Sequence, residues 1–158
     1  MARKLGRVLI VEDAPALAET YAEYLKTENC TVEIVGNGKA ALAILSAAPP
    51  AVLVLDVNLP DMNGIDLMRD VRSRGLPVEI VIITGQASVR LAVESMKEGA
   101  LDFLTKPFTA DRLRVTVRNA LERGKLEQQV AAIQEETGRD RFCNFIGHSM
   151  AMQSVYRI

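Results

Sequence analysis

Short runs of consecutive apolar residues, rich in valine, isoleucine and leucine, recur along the chain at intervals that leave room for a helix between them. Val8-Leu-Ile-Val11, Val52-Leu-Val-Leu55 and Ile80-Val-Ile-Ile83 are unbroken, Phe103-Leu104 is shorter, and Thr31 to Val35 alternates. An unbroken apolar run suits a strand covered on both faces, as parallel sheets require. Between the runs the periodicity becomes helical. Asp13-Ala-Pro15 opens the first helix, with Leu17, Tyr21, Tyr24 and Leu25 on one face. Ala41, Leu42 and Leu45 mark a second, between Gly36-Asn-Gly38 and Pro49-Pro50, and Ile65, Met68 and Val71 a third, ended by Gly75 and Pro77. A fourth runs from Ser88 to Glu98 with Gly99 as its stop, and Thr109 caps a fifth that carries Leu113, Val117, Ala120 and Leu121. Strands alternating with helices predict an α/β domain on a parallel sheet.

Gly124 interrupts the phase of the fifth helix, and Leu126, Val130 and Ile133 begin a new stripe at heptad-like spacing. That stripe spans barely more than one heptad and reads either as an exposed linker helix or as a short seam for a second copy; a homodimer is the expected assembly. From Gly138 to Arg141 the chain is polar, and from Phe142 to Ile158 it is apolar again. The expected division is a domain over 1–123, a linker helix over 124–141 and the opening of a further domain over 142–158.

Composition adds exclusions. With 158 residues, 49% hydrophobic and 25% charged, the chain can bury one good core and an appendage. Its net charge of −1 supplies no field that would draw it to nucleic acid or an anionic membrane, so no direct nucleic-acid contact is expected. The sequence shows neither a membrane-spanning stretch nor a signal-peptide core, which makes a cytoplasmic location the expectation. Cys30 and Cys143 lie far apart and read as unpaired thiols, and His148 reads as structural.

The chemistry gathers at the strand ends. In a parallel sheet every strand points its carboxyl end the same way, so Glu12, Asp13, Asp56, Thr84 and Lys106, each just past or at the end of an apolar run, should meet in one crevice. Crowded carboxylates with no partner repel one another, and Mg²⁺, a hard cation that takes oxygen ligands, resolves the conflict. Taken singly, Asp13 could be a helix cap, Asp56 a turn residue and Lys106 a surface lysine. Together they describe a phosphoryl-accepting site. Asp56 is the candidate nucleophile, and the Lys106 ammonium and Thr84 hydroxyl take phosphoryl oxygens. Pro107 makes a cis bond after Lys106 an open prospect, and Gly85 leaves room beside Thr84.

Over roughly Arg7 to Arg123 the chain resembles the receiver domain of two-component response regulators, on Glu12-Asp13, Asp56, Thr84, Lys106-Pro107 and the loop Leu59-Pro-Asp-Met-Asn-Gly64. The resemblance implies a flavodoxin-like, doubly wound five-stranded sheet in the order 2-1-3-4-5 with five helices. It implies Asp56 as phosphoacceptor, Mg²⁺ held by Glu12, Asp13, Asp56 and the Asn58 backbone carbonyl, and Thr84 and Phe103 as switch residues. Phe103 stands where the family often has Tyr, so only steric switching remains to it. A histidine kinase or histidine phosphotransfer protein is the implied donor. The domain would then be no enzyme beyond its own phosphorylation and hydrolysis. Phe145 to Tyr156 resembles the entry to the AAA+ ATPase domain of sigma-54-dependent activators, and the segment Ala110 to Val117 with this tail resembles the LuxO-type quorum-sensing regulators. AAA+ and DNA-binding domains would complete the protein. No Gly-x-x-x-x-Gly-Lys-[Ser/Thr] loop occurs in the chain itself. Two rival readings are a haloacid-dehalogenase-like phosphatase, which wants a second Asp where Pro15 stands, and a receiver-like interaction module that is never phosphorylated.

Overall fold

The computed structural model describes residues 6–86 and 88–126. Five strands, β1 (Gly6–Val11), β2 (Cys30–Val35), β3 (Val52–Asp56), β4 (Glu79–Thr84) and β5 (Asp102–Thr105), alternate with α1 (Pro15–Tyr24), α2 (Gly38–Ala47), α3 (Gly64–Ser73) and α4 (Val89–Lys97). A fifth helix, α5, covers 110–126. All strand pairs are parallel and the order is β2-β1-β3-β4-β5, the doubly wound arrangement expected. The linker and tail expectations beyond residue 126, with Val130, Ile133, Cys143 and His148, fall outside the described residues.

The apolar runs divide by alternation between two faces. Leu9, Val11, Leu53, Leu55, Ile80 and Ile82 face one layer with Ala41, Leu45, Ile65, Met68 and Val71 of α2 and α3. Val8, Ile10, Val52, Val54, Val81 and Ile83 face the other with Tyr21 of α1 and Leu113, Val117 and Leu121 of α5. Beyond their first residues, β1, β3 and β4 are buried on both sides, which is why these strands read as continuous hydrophobic blocks.

Helix termini follow the capping chemistry in part. Asn37, Asn63 and Ser88 cap α2, α3 and α4 with their side chains, and the Thr109 hydroxyl accepts from Arg112 N at 3.1 Å. Gly75 and Gly99 adopt φ of +67° and +101°, as helix stops require. The first helix differs: its cap is Ala14, which offers no side-chain bond, so Asp13 is released from capping.

α4 is the least embedded helix. It buries only Ser95, while Val89, Val93 and Met96 are exposed. Polar bonds from α3 hold it instead, through Arg69 to Glu94 and Glu98 at 2.8 and 3.2 Å and Arg72 to the Gly99 carbonyl at 2.8 Å.

A second polar tie joins the α1–β2 turn to α5, where Arg118 donates to both Glu28 oxygens at 2.8 and 3.0 Å. These bonds lower the Glu28 carboxyl below its ordinary value. A depressed carboxyl contributes stability above its unfolded pKa of about 4.3 and loses it as pH falls through the lower folded value. Because Arg118 is half exposed, Glu28→Gln should cost only about 0.5–1 kcal/mol at neutral pH. Thermal unfolding of wild type and variant should differ at pH 7 and converge in acid as Glu28 itself becomes neutral.

Candidate functional site

The register brings the five strand ends level. Val11 pairs with both Val35 and Leu55, Asp56 with Ile83, and Thr84 with Thr105. Glu12 therefore leaves β1 beside Asp56 at the end of β3, and Lys106 leaves β5 next to Thr84 at the end of β4. Three backbone bonds fix this rim: Glu12 N to Val35 O at 3.1 Å, Val57 N to Ile83 O at 3.1 Å and Lys106 N to Thr84 O at 2.7 Å. The Lys106–Pro107 bond is cis.

Glu12, Asp13 and Asp56 each place a carboxylate oxygen within 4.8 Å of the others, with Glu12 and Asp56 buried and Asp13 exposed. Such a hard oxygen set, open on one side, fits Mg²⁺. Lys106 Nζ donates to Glu12 Oε2 at 2.6 Å and to Asp56 Oδ2 at 2.9 Å. The carboxylates are thus not left without a partner, as the sequence suggested, since part of the compensating charge comes from Lys106. The other oxygens of Glu12 and Asp56 are also engaged: Glu12 Oε1 accepts from Ala14 N at 3.2 Å and Asp56 Oδ1 from Asn58 N at 3.0 Å.

Burial pushes the Glu12 carboxyl up, against the lowering pull of the Lys106 ammonium and the Ala14 amide. Burial pulls Lys106 down, but its bonds to Glu12 and Asp56 outweigh this and raise it. The ammonium is therefore held charged between two acids.

Thr84 is fully buried and its hydroxyl accepts from Gln86 N at 3.1 Å. Phe103 is half-buried and packs against the core layer of α2 and α3. Asn58 follows Asp56 in a loop closed by a bridge to Asn63 and by Gly64 N donating to Val57 O at 2.7 Å. Sequence reasoning took two residues of this loop only as part of a motif and gave them no role. Gly64 sits so close to the site that an added Cβ would lie 2.3 Å from the Asp56 carbonyl oxygen. Asp61 bonds to the start of α2 at Gly38 N and Lys39 N. The motif from Leu59 to Gly64 pointed to a family loop but not to these partners.

The model of the response regulator receiver domain family matches residues 8–118, most of the chain and all of the rim just described. The chain belongs to that family. The receiver domain is similar to the regulatory protein LuxO of Vibrio cholerae, at 40% identity over 149 residues, which are 94% of this chain and 32% of the relative. It thus spans about a third of the length of the curated LuxO relatives it matches. Among solved structures it resembles the signal receiver domain of a LuxO-type repressor protein from Vibrio parahaemolyticus, with a TM-score of 0.78 and 40% identity over 82% of this chain and 98% of that one. NtrX from Brucella abortus, crystallised with ADP, has a TM-score of 0.76 and 29% identity, covering 84% of this chain and 30% of NtrX. This is the receiver domain of a LuxO-like two-component response regulator. Among the described residues, no helix is long and apolar enough to cross a membrane.

Proposed function

We propose that this receiver domain accepts a phosphoryl group on Asp56 in an Mg²⁺-dependent reaction and signals to a sigma-54-interacting ATPase. The observation that carries the reading is the buried Asp56 carboxylate, 2.9 Å from the Lys106 ammonium and clustered with Glu12 and Asp13. Mg²⁺ held by Glu12, Asp13, Asp56 and the Asn58 carbonyl would neutralise charge on the transferred group. An Asp56 oxygen attacks phosphorus, the P–N bond of a donor phosphohistidine breaks, and the imidazole leaves with the bonding pair. The product is an acyl phosphate on Asp56. The Lys106 ammonium and the Thr84 hydroxyl then bind phosphoryl oxygens, Thr84 turning from its Gln86 contact toward the new group. That inward motion leaves space for Phe103, already half-buried, to turn further into the core and reshape the surface beside α4.

The donor is a histidine kinase or a histidine phosphotransfer protein, and the wider assembly is a homodimer with AAA+ and DNA-binding domains. The division into receiver (1–123), linker helix (124–141) and AAA+ entry (142–158) belongs to the same proposal. Likeness to LuxO and to NtrX supports it.

Acetyl phosphate with Mg²⁺ should label the chain once and stop. Catalytic turnover of a phosphomonoester would instead favour a haloacid-dehalogenase-like phosphatase, and absence of any label would favour an interaction module. Asp13→Asn should weaken Mg²⁺ binding on the order of tenfold, because a ligand charge leaves a hard-cation site while the exposed position spares the fold. Calorimetric titration of wild type and variant checks this, and equal affinities would remove Asp13 from the ligand set.

A further inference from the structure

α2 begins at Gly38, and the first amides of a helix have no intrahelical acceptor. The Asn37 carbonyl takes the first i→i−4 bond, from Ala41 N at 3.3 Å, and the Asn37 side chain supplies Oδ1 for Ala40 N at 2.8 Å. The other two amides are satisfied from a different loop: Gly38 N donates to Asp61 Oδ1 at 2.8 Å and Lys39 N to Asp61 Oδ2 at 2.9 Å. A carboxylate is well placed at that positive helix end. Met62 lies directly on Gly38, where an added Cβ would stand 2.3 Å from its sulfur.

The same loop carries Asn58. Its base is closed by the Asn58–Asn63 bridge, and its tip is bolted to α2 by Asp61. Resting on the metal-binding reading above, we propose that Asp61 is a positioning residue that holds the β3–α3 loop against α2 and so presents the Asn58 carbonyl to the cation. Without the clamp the loop gains conformations, and metal binding must order it each time. The coupling is reciprocal. A cation that fixes the loop also keeps Asp61 on α2 and protects the Gly38 and Lys39 amides from exchange.

The test uses Mg²⁺ alone as the probe, on the full chain as wild type, Asp61→Ala and Asp61→Asn. Calorimetry should show Asp61→Ala binding about tenfold more weakly, as expected for a residue that orients a metal ligand. Asp61→Asn keeps one carbonyl acceptor and should fall between, so it carries the comparison if the alanine variant folds poorly. Amide hydrogen exchange should slow at Gly38 and Lys39 on adding Mg²⁺ to wild type, and this slowing should vanish in Asp61→Ala. A purely structural cap would leave exchange at those amides indifferent to Mg²⁺. Indistinguishable affinities across the three chains, or wild-type exchange unaltered by Mg²⁺, would overturn the positioning role alone. A wild type that binds no Mg²⁺ would overturn the metal site and this role with it.

Discussion

An Asp56→Asn chain should take up no phosphate from acetyl phosphate and Mg²⁺, under conditions that label the wild type stoichiometrically. The amide oxygen is a poor nucleophile, and the substitution removes the charge that makes Asp56 the attacking group. The fold should survive, because Asn can still accept from Asn58 N and Lys106 keeps its partner Glu12. Stability should change by no more than about 1 kcal/mol, since the site loses a like-charge neighbour along with an ion pair. Intact-mass measurement and thermal unfolding of the same samples check both statements. Undiminished labelling of a folded Asp56→Asn chain would place the acceptor elsewhere.

Lys106→Ala should give the largest loss of stability among substitutions at the site. The ammonium is the charged partner of two buried carboxylates, and removing one member of such a cluster leaves the others uncompensated. The cost in Mg²⁺-free buffer should be about 3 kcal/mol, read from urea unfolding. Adding Mg²⁺ should return part of it, because the cation supplies charge to the same oxygens. A variant as stable as wild type in the absence of metal would show that the acids are neutral or otherwise compensated. The second consequence is functional. If Lys106 ties β5 to the modified Asp56, the variant should accept phosphate yet respond weakly to beryllofluoride, an aspartyl phosphate mimic. A full conformational response would deny it that role.

Much of this was legible along the chain. Val8–Val11, Val52–Leu55 and Ile80–Ile83 show themselves as strands because both faces are covered, and strand polarity then dictates that Glu12, Asp56, Thr84 and Lys106 share one rim. What escaped the sequence are pairings whose partners lie far apart and carry no periodic signal. Lys106 reaching Glu12 spans 94 positions, and Asp61 reaching Gly38 spans 23. Asp61 looks like any turn former until α2 is seen starting against it. Arg69 and Arg72 carry no periodic signal either, yet they tie α3 to α4, whose own apolar side chains are largely exposed. Gly64 reads as a turn glycine, whereas the structure requires it because α3 starts against the Asp56 backbone.

The most direct test is to locate the modified residue chemically. Borohydride reduces an aspartyl phosphate to homoserine, so wild-type chain treated with acetyl phosphate and Mg²⁺, then reduced and digested, should carry homoserine at position 56 alone. Omitting Mg²⁺ should leave Asp56 intact. Homoserine at Asp13 or another acidic residue, or at position 56 irrespective of Mg²⁺, would contradict the assignment of Asp56 as the metal-dependent phosphoacceptor.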